Sequence, residues 1–164
     1  MPATYEPIAT QTLASAAASI TFNSIAASWT DLRLVLIGTA AAGISPQLRF
    51  NSDSGANYSE TTLEGTGTGA VSGRNTGMSQ INLGQNGLST TIPNFCSADI
   101  FSYAGSTNKT VLVTFSSDRN GSGFVETAVG LWRNTAAITT VTIAAASSTF
   151  SIGTTATLYG IKAA

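Results

Sequence analysis

Apolar residues recur at every second position along most of this chain, and that period restricts its fold more than any other feature of the sequence. In the run 111–115, for example, Val111, Val113 and Phe115 fall on one side and the intervening residues fall on the other. Side chains alternate between the two faces of a β-strand, whereas a helical face repeats about every 3.6 residues. The pattern therefore predicts a succession of strands with no amphipathic helix between them.

Turn-forming residues separate these runs at short intervals. Asn120-Gly121 lies between the runs 111–115 and 124–132, and this dipeptide favours a tight antiparallel hairpin because both turn positions need positive φ. The Ala-rich segment 14–18 is too short for an independent helix and is interpreted as a strand or linker. The Gly/Ser/Thr-rich segment 64–79 is interpreted as one long exposed loop.

About eight to ten short strands without helices predict an all-β fold: an antiparallel, jelly-roll-like β-sandwich, with a closed barrel as the alternative. The 164 residues fit one domain, 1–164, in which residues 1–19 are a candidate for an extended N-terminal arm because of their prolines and small side chains. We expect one core between the two sheets, formed by Leu34, Phe50, Val113, Phe115, Val129, Leu131 and Ile143.

Charged residues are scarce. They make up 9% of the chain, where a soluble domain usually carries about 25%. The net charge is −1 and the seven basic residues are scattered, so no nucleic-acid partner is expected. No membrane partner is expected either, because the longest apolar run, 34–37, is too short to span a bilayer. A weakly charged surface favours assembly with other protein; a small neutral monomer is the alternative.

The chain contains one cysteine and no histidine. Cys96 therefore cannot form a disulfide within the chain and is predicted to be a small buried residue. We expect no zinc site, no other metal and no cofactor. The lack of histidine also removes the commonest general base and the usual partner of a serine or cysteine nucleophile.

The carboxylates do not suggest a glycosidase. On one strand, Glu60 and Glu64 would stand about 13 Å apart, which exceeds both separations that glycosidases use. Asp118 and Glu126 flank the predicted hairpin and could approach each other across it. A solvated pair of charges explains them equally well. We therefore expect no catalytic residues and no enzyme activity.

Two short segments resemble ligand-binding loops. Residues 65–69 alternate glycine and threonine, but neither the lysine nor the helix of a phosphate loop follows them. Residues 51–57 alternate oxygen-bearing side chains like a calcium loop, but glycine stands one position early and Thr62 replaces the final carboxylate. We interpret the first segment as a flexible loop and the second as a hairpin turn.

A glycan-binding site formed by aromatic residues is an alternative interpretation. Exposed aromatic rings can stack on sugars, but the core has first claim on the few that this chain contains. The candidates are Trp29, Trp132, Tyr58, Tyr103 and Tyr159.

Four strings, in order and spread over nearly the whole chain, resemble a family of small virion structural proteins of tailed bacteriophages. They are residues 5–10 (YEPIAT), 48–58 (LRFNSDSGANY), 130–138 (GLWRNTAAI) and 157–161 (TLYGI). The resemblance implies a place in the virion more strongly than a particular role, and it provides no site residues to transfer.

Among virion roles, a capsid decoration (cement) protein is favoured, because the chain has room for one domain and lacks the heptads or repeats of a fibre shaft. The resemblance implies a homotrimer that binds the major capsid protein on the outside of the head, after synthesis in the host cytoplasm. The alternatives are a short tail-fibre or baseplate subunit involved in host attachment, and a carbohydrate-binding module. We expect the segment 1–19 to extend along a neighbouring subunit.

Overall fold

The computed structural model describes residues 4–163, and this part of the chain folds into two antiparallel sheets without a helix. The larger sheet has the strand order β1-β12-β3-β8-β9-β10-β5-β6, and the smaller has the order β2-β11-β4-β7. The strands are β1 (Tyr5–Thr12), β2 (Ser19–Phe22), β3 (Asp31–Gly38), β4 (Pro46–Phe50), β5 (Tyr58–Gly65), β6 (Ala70–Met78), β7 (Ile81–Asn82), β8 (Asn94–Ile100), β9 (Lys109–Asp118), β10 (Gly123–Trp132), β11 (Val141–Ala145) and β12 (Thr155–Ile161). This confirms the antiparallel, jelly-roll-like sandwich, and the open sheets exclude the closed barrel.

The core lies between the sheets and follows the alternation of the sequence over most strands. In β3, Leu32, Leu34 and Leu36 are fully buried, and the intervening residues are more exposed. On the other sheet, Ile143 of β11 pairs with Leu48 of β4, and both are fully buried. Five of the predicted core residues are therefore confirmed: Leu34, Phe50, Val113, Phe115 and Ile143.

The prediction for β10 is wrong, because this strand presents the opposite face to the core. Val129 is 52% exposed and Leu131 is partly exposed, whereas Trp132 is fully buried against Phe50, with ring centroids 5.4 Å apart. Gly130 leaves the space that Ile81 fills, since an added Cβ would lie 2.7 Å from the Ile81 Cδ1 atom. Strict alternation from these two inward positions places the valines outside.

The hairpin formed by β9 and β10 is confirmed. Arg119 N–H donates to the Ser122 carbonyl, which closes a turn on Asn120 and Gly121. Both turn residues have positive φ, 53° for Asn120 and 108° for Gly121, as a type I′ turn requires.

The segment 64–79 is not a loop. It contains the end of β5, a short turn and the edge strand β6, which pairs with β5 along its length. From Ala70 to Gly77 every residue of β6 is exposed, so no alternation of burial could mark it in the sequence. Backbone hydrogen bonds to β5, rather than side-chain burial, hold this strand in place.

Residues 51–57 do not form a hairpin turn either, because they connect β4 of the smaller sheet to β5 of the larger one. Asn51 and Ser52 both have positive φ there. The Asn51 Oδ1 atom accepts hydrogen bonds from the Thr139 and Thr140 N–H groups at 2.8 and 3.1 Å. The oxygen-rich side chains thus stabilise a corner between the sheets.

The predicted N-terminal arm is also corrected, for the residues that the structure describes. Tyr5–Thr12 is β1, an edge strand that pairs with β12 of its own chain, while residues 1–3 lie outside the described range. A register shift between Pro7 and Ala9 accommodates the proline, which has no N–H to donate. Tyr5 stacks on Tyr159, with 4.6 Å between ring centroids, and this contact adds to the backbone pairing that holds β1 on its own sheet.

Candidate interaction surface

The smaller sheet lies on one side of the larger sheet, and the opposite side is called here the outer face. It consists of the residues that alternate with the core residues of β3, β8, β9, β10 and β5. Large apolar side chains on it are between 38% and 65% exposed: Ile37, Phe95, Leu112, Val125, Val129 and Leu63. Ile37 and Phe95, and likewise Leu112 and Val129, lie directly opposite each other on adjacent strands, and clustered exposed apolar side chains are typical of surfaces that contact other protein.

The centre of the outer face carries little charge. Arg33 of β3 and Asp99 of β8 form an ion pair, with 3.6 Å between Nε and Oδ1. Asp31 and Asp118 lie at strand ends, where their carboxylates accept hydrogen bonds from the N–H groups of Ser102 and Asn120. The face is therefore nearly neutral, as the scarcity of charge in the sequence suggests, and its apolar side chains alternate with threonines such as Thr114 and Thr127.

One end of the outer face is its most apolar part. Strand pairing aligns Ile37, Phe95, Ser116 and Val125 in a single row across β3, β8, β9 and β10. Val125, at one end of this row, is 65% exposed. The row crosses the sheet with only one polar residue, Ser116, between Ile37 and Val125.

Two cavities adjoin Val125. One, of about 470 Å³, lies between the β5–β6 turn and the tip of the β9–β10 hairpin, and Thr66, Ser122 and Gly123 contribute to its wall. The other, of about 390 Å³, is lined by Leu63, Glu64, Gly65, Ala70, Thr114, Val125, Glu126 and Thr127. Both cavities share Gly65 and Val125, so they form adjacent parts of one depression.

The carboxylates considered in the sequence have structural partners. Glu60 is buried, and its Oε1 atom accepts hydrogen bonds from Asn82 Nδ2 at 2.9 Å and from Gln85 Nε2 at 2.6 Å. Glu126 is also buried, and its Oε2 atom accepts from the Gln85 N–H at 2.7 Å. The two carboxylates hold the segment around Gln85 against the larger sheet.

Glu126 does not form the predicted solvated pair with Asp118, because it points into the core and Asp118 is exposed. Burial raises the pKa of Glu126, and Glu60 and Glu64 add to this effect. Its Oε1 atom is buried without a hydrogen-bond partner. The sequence analysis missed this burial, although Glu126 has the same parity in β10 as Trp132, and a tryptophan is the stronger sign of the inward face.

Most of the aromatic residues considered for sugar stacking belong to the core. Trp132, Tyr58 and Tyr103 are fully buried. Trp29 is partly buried and lies 5.0 Å, measured from ring centroid to Nζ, from Lys162. Tyr159, also partly buried, stacks on another aromatic ring of its own chain. None of these five residues lines either of the two cavities.

Cys96 is buried, as predicted, and its thiol lies 3.3 Å from the Leu83 carbonyl oxygen. Lys109 is a buried group that the sequence analysis missed. Its ammonium group donates to the Gly105 carbonyl at 2.7 Å and also to the Thr107 carbonyl, so it orders the preceding loop. Burial lowers the pKa of Lys109.

Within residues 4–163, no three His, Cys, Asp or Glu side chains are grouped so that they could hold a metal ion. The same residues contain no helix that is long and apolar enough to cross a membrane. Comparisons with protein-family models, curated proteins and solved structures found no match for this chain.

Proposed function

We propose that this chain is a structural subunit of a tailed-phage virion that acts as a capsid decoration protein and binds the assembled head through its outer face. The observation that carries the proposal is the outer face itself, which leaves Leu112, Val129 and Leu63 between 39% and 54% exposed. Covering such a surface with protein is favourable because it removes apolar area from water. The resemblance of the four strings supports the virion as the place where this happens.

A decoration protein needs no catalytic group, since a protein that binds only the assembled lattice stabilises it by mass action. The proposal therefore includes the absence of hydrolase activity. We expect the pure protein to release no new reducing ends from host polysaccharide. Release that disappears in Glu60→Gln or Glu126→Gln would contradict this part of the proposal.

The outer face can be tested with heads that lack the protein. We expect added wild-type chain to sediment with these heads and to raise the temperature at which they open. The double variant Leu112→Asp/Val129→Asp places two charges on paired positions of β9 and β10 and should lose both effects while remaining folded. Thr142→Asp, on the smaller sheet, is the control and should bind normally. Normal binding by the double variant would show that the capsid contacts another surface.

Copy number separates decoration from the alternative virion roles. A quantified gel of purified virions should show the many copies per particle that a capsid lattice holds. A handful of copies located at the tail tip would favour a tail-fibre or baseplate subunit. The carbohydrate-binding alternative has less support, because three of the five candidate stacking residues are fully buried.

A further inference from the structure

The turn that precedes β12 displays a largely exposed apolar side chain, that of Ile152. Ile152 is 69% exposed, the largest exposure of any large hydrophobic residue described. The turn is closed by a hydrogen bond from Thr154 N–H to the Ser151 carbonyl, and Gly153 has a φ of 82°, as position i+2 of a type II turn requires. Phe150 and Thr154, both buried, anchor the turn on either side, and the exposed Ile152 side chain between them is called here the knob.

The second most exposed large hydrophobic residue is Val125, which borders the depression described above. The knob and the depression lie at the same end of the larger sheet. Thr155, directly after the turn, pairs with Ile37, and the apolar row continues from Ile37 to Val125. Four strand spacings, about 19 Å across the sheet, separate β12, which follows the knob, from β10, which carries Val125.

We propose that Ile152 of one copy of this chain inserts into the depression beside Val125 of the next copy. This contact is independent of the proposed function, which concerns binding to the head. A second copy is the occupant because the chain itself provides the complementary apolar knob. One such contact buries the two most exposed large hydrophobic side chains at once. Neither Ile152 nor Val125 is charged, although Asp118 and Glu64 stand in the wall of the depression around the contact.

The contact is heterologous, because the knob and the depression are different surfaces. Heterologous contacts either close into a ring or continue as a filament, whereas a two-fold contact would pair each surface with itself. Because the knob and the depression lie at the same end of the larger sheet, that end of each subunit would make both of its contacts in such a ring.

Disulfide trapping in the full-length chain tests the contact directly. Mixing Ile152→Cys with Val125→Cys should produce covalent dimers under mild oxidation, while either variant alone should produce few. The double variant should produce a ladder that ends at the ring size. Native Cys96 is buried and stays in every variant. Ile152→Cys mixed with Val129→Cys is the matched control, since Val129 lies on the same face about 13 Å further along β10.

Dimers formed by Val125→Cys alone as readily as by the mixture would overturn the proposal in favour of a face-to-face contact. Equal trapping with Val129→Cys would also overturn it. A second variant, Ile152→Asp, should weaken self-association at least about tenfold in sedimentation velocity with an unchanged melting temperature. Phe101→Asp, at the other end of β8, should leave self-association unchanged. Wild-type chain that stays monomeric yet binds heads would refute this contact and leave the proposed function standing.

Discussion

β9 and β10 are neighbours in one hairpin, but they distribute their apolar residues in opposite ways. β9 places Val111, Val113 and Phe115 in the core, as its alternation predicts. β10 places Val125 and Val129 outside and buries Glu126. The comparison indicates that the face of a strand follows the residue whose burial contributes most, here Trp132, even where three aliphatic side chains, those of Val125, Val129 and Leu131, are turned outward as a result.

Among the substitutions that test this difference between β9 and β10, removal of the Trp132 ring should lower the free energy of unfolding most. Its ring packs against Phe50 and Tyr58, and its Nε1–H donates to Asp53 Oδ2 at 2.7 Å. We expect Trp132→Ala to lower the free energy of unfolding by roughly 3–5 kcal/mol in urea titrations. Trp29→Ala, at a partly exposed site, is the control and should cost less. If both variants unfolded at the same urea concentration, Trp132 would not be what orients β10.

The same substitution at one valine of each strand compares how much each buried or exposed side chain contributes to stability. Val113 is 1% exposed and Val129 is 52% exposed, although they lie on adjacent strands. We expect Val113→Ala to cost roughly 2 kcal/mol, because it removes two buried carbons and leaves a cavity. Val129→Ala should change stability by less than about 0.5 kcal/mol. Thermal unfolding of the two variants checks this. Equal losses of stability would mean that Val129 is buried, as the sequence predicts.

The inward carboxylate of β10 should show a small effect that depends on pH. Because burial raises the pKa of Glu126, the folded chain keeps this proton at pH values where the unfolded chain has lost it. Its contribution to stability is complete below the unfolded pKa of about 4.3 and is lost as pH rises through the folded pKa. We therefore expect Glu126→Gln, which cannot ionise, to lose less stability than wild type over this rise in pH.

Urea unfolding at a series of pH values measures this difference. Glu64→Gln, beside Glu126 on the adjacent strand β5 but partly exposed, is the control and should follow the wild-type curve more closely. Parallel curves for wild type and Glu126→Gln would mean that Glu126 titrates as it does in the unfolded chain.

Local sequence was most informative where a strand has one clearly apolar face. The sequence predicts Leu34 of β3 in the core and a tight hairpin turn at Asn120-Gly121, and the structure confirms both. β6 could not be found in this way, since it is exposed on both faces and only hydrogen bonds to β5 define it. The sequence indicates the candidate surface only through the scarcity of charged residues. Which residues form it depends on which face of β10 turns outward.

The sequence alone predicts antiparallel strands that are joined by tight turns, and a surface that carries little charge. These properties follow from period, turn chemistry and composition, which act over a few residues. Long-range packing turns Glu126 of β10 inward, pairs the N-terminal strand with its own sheet, and leaves Ile152 and Val125 uncovered at one end. Those outcomes depend on contacts between residues far apart in the chain, where one well-packed ring outweighs several local preferences.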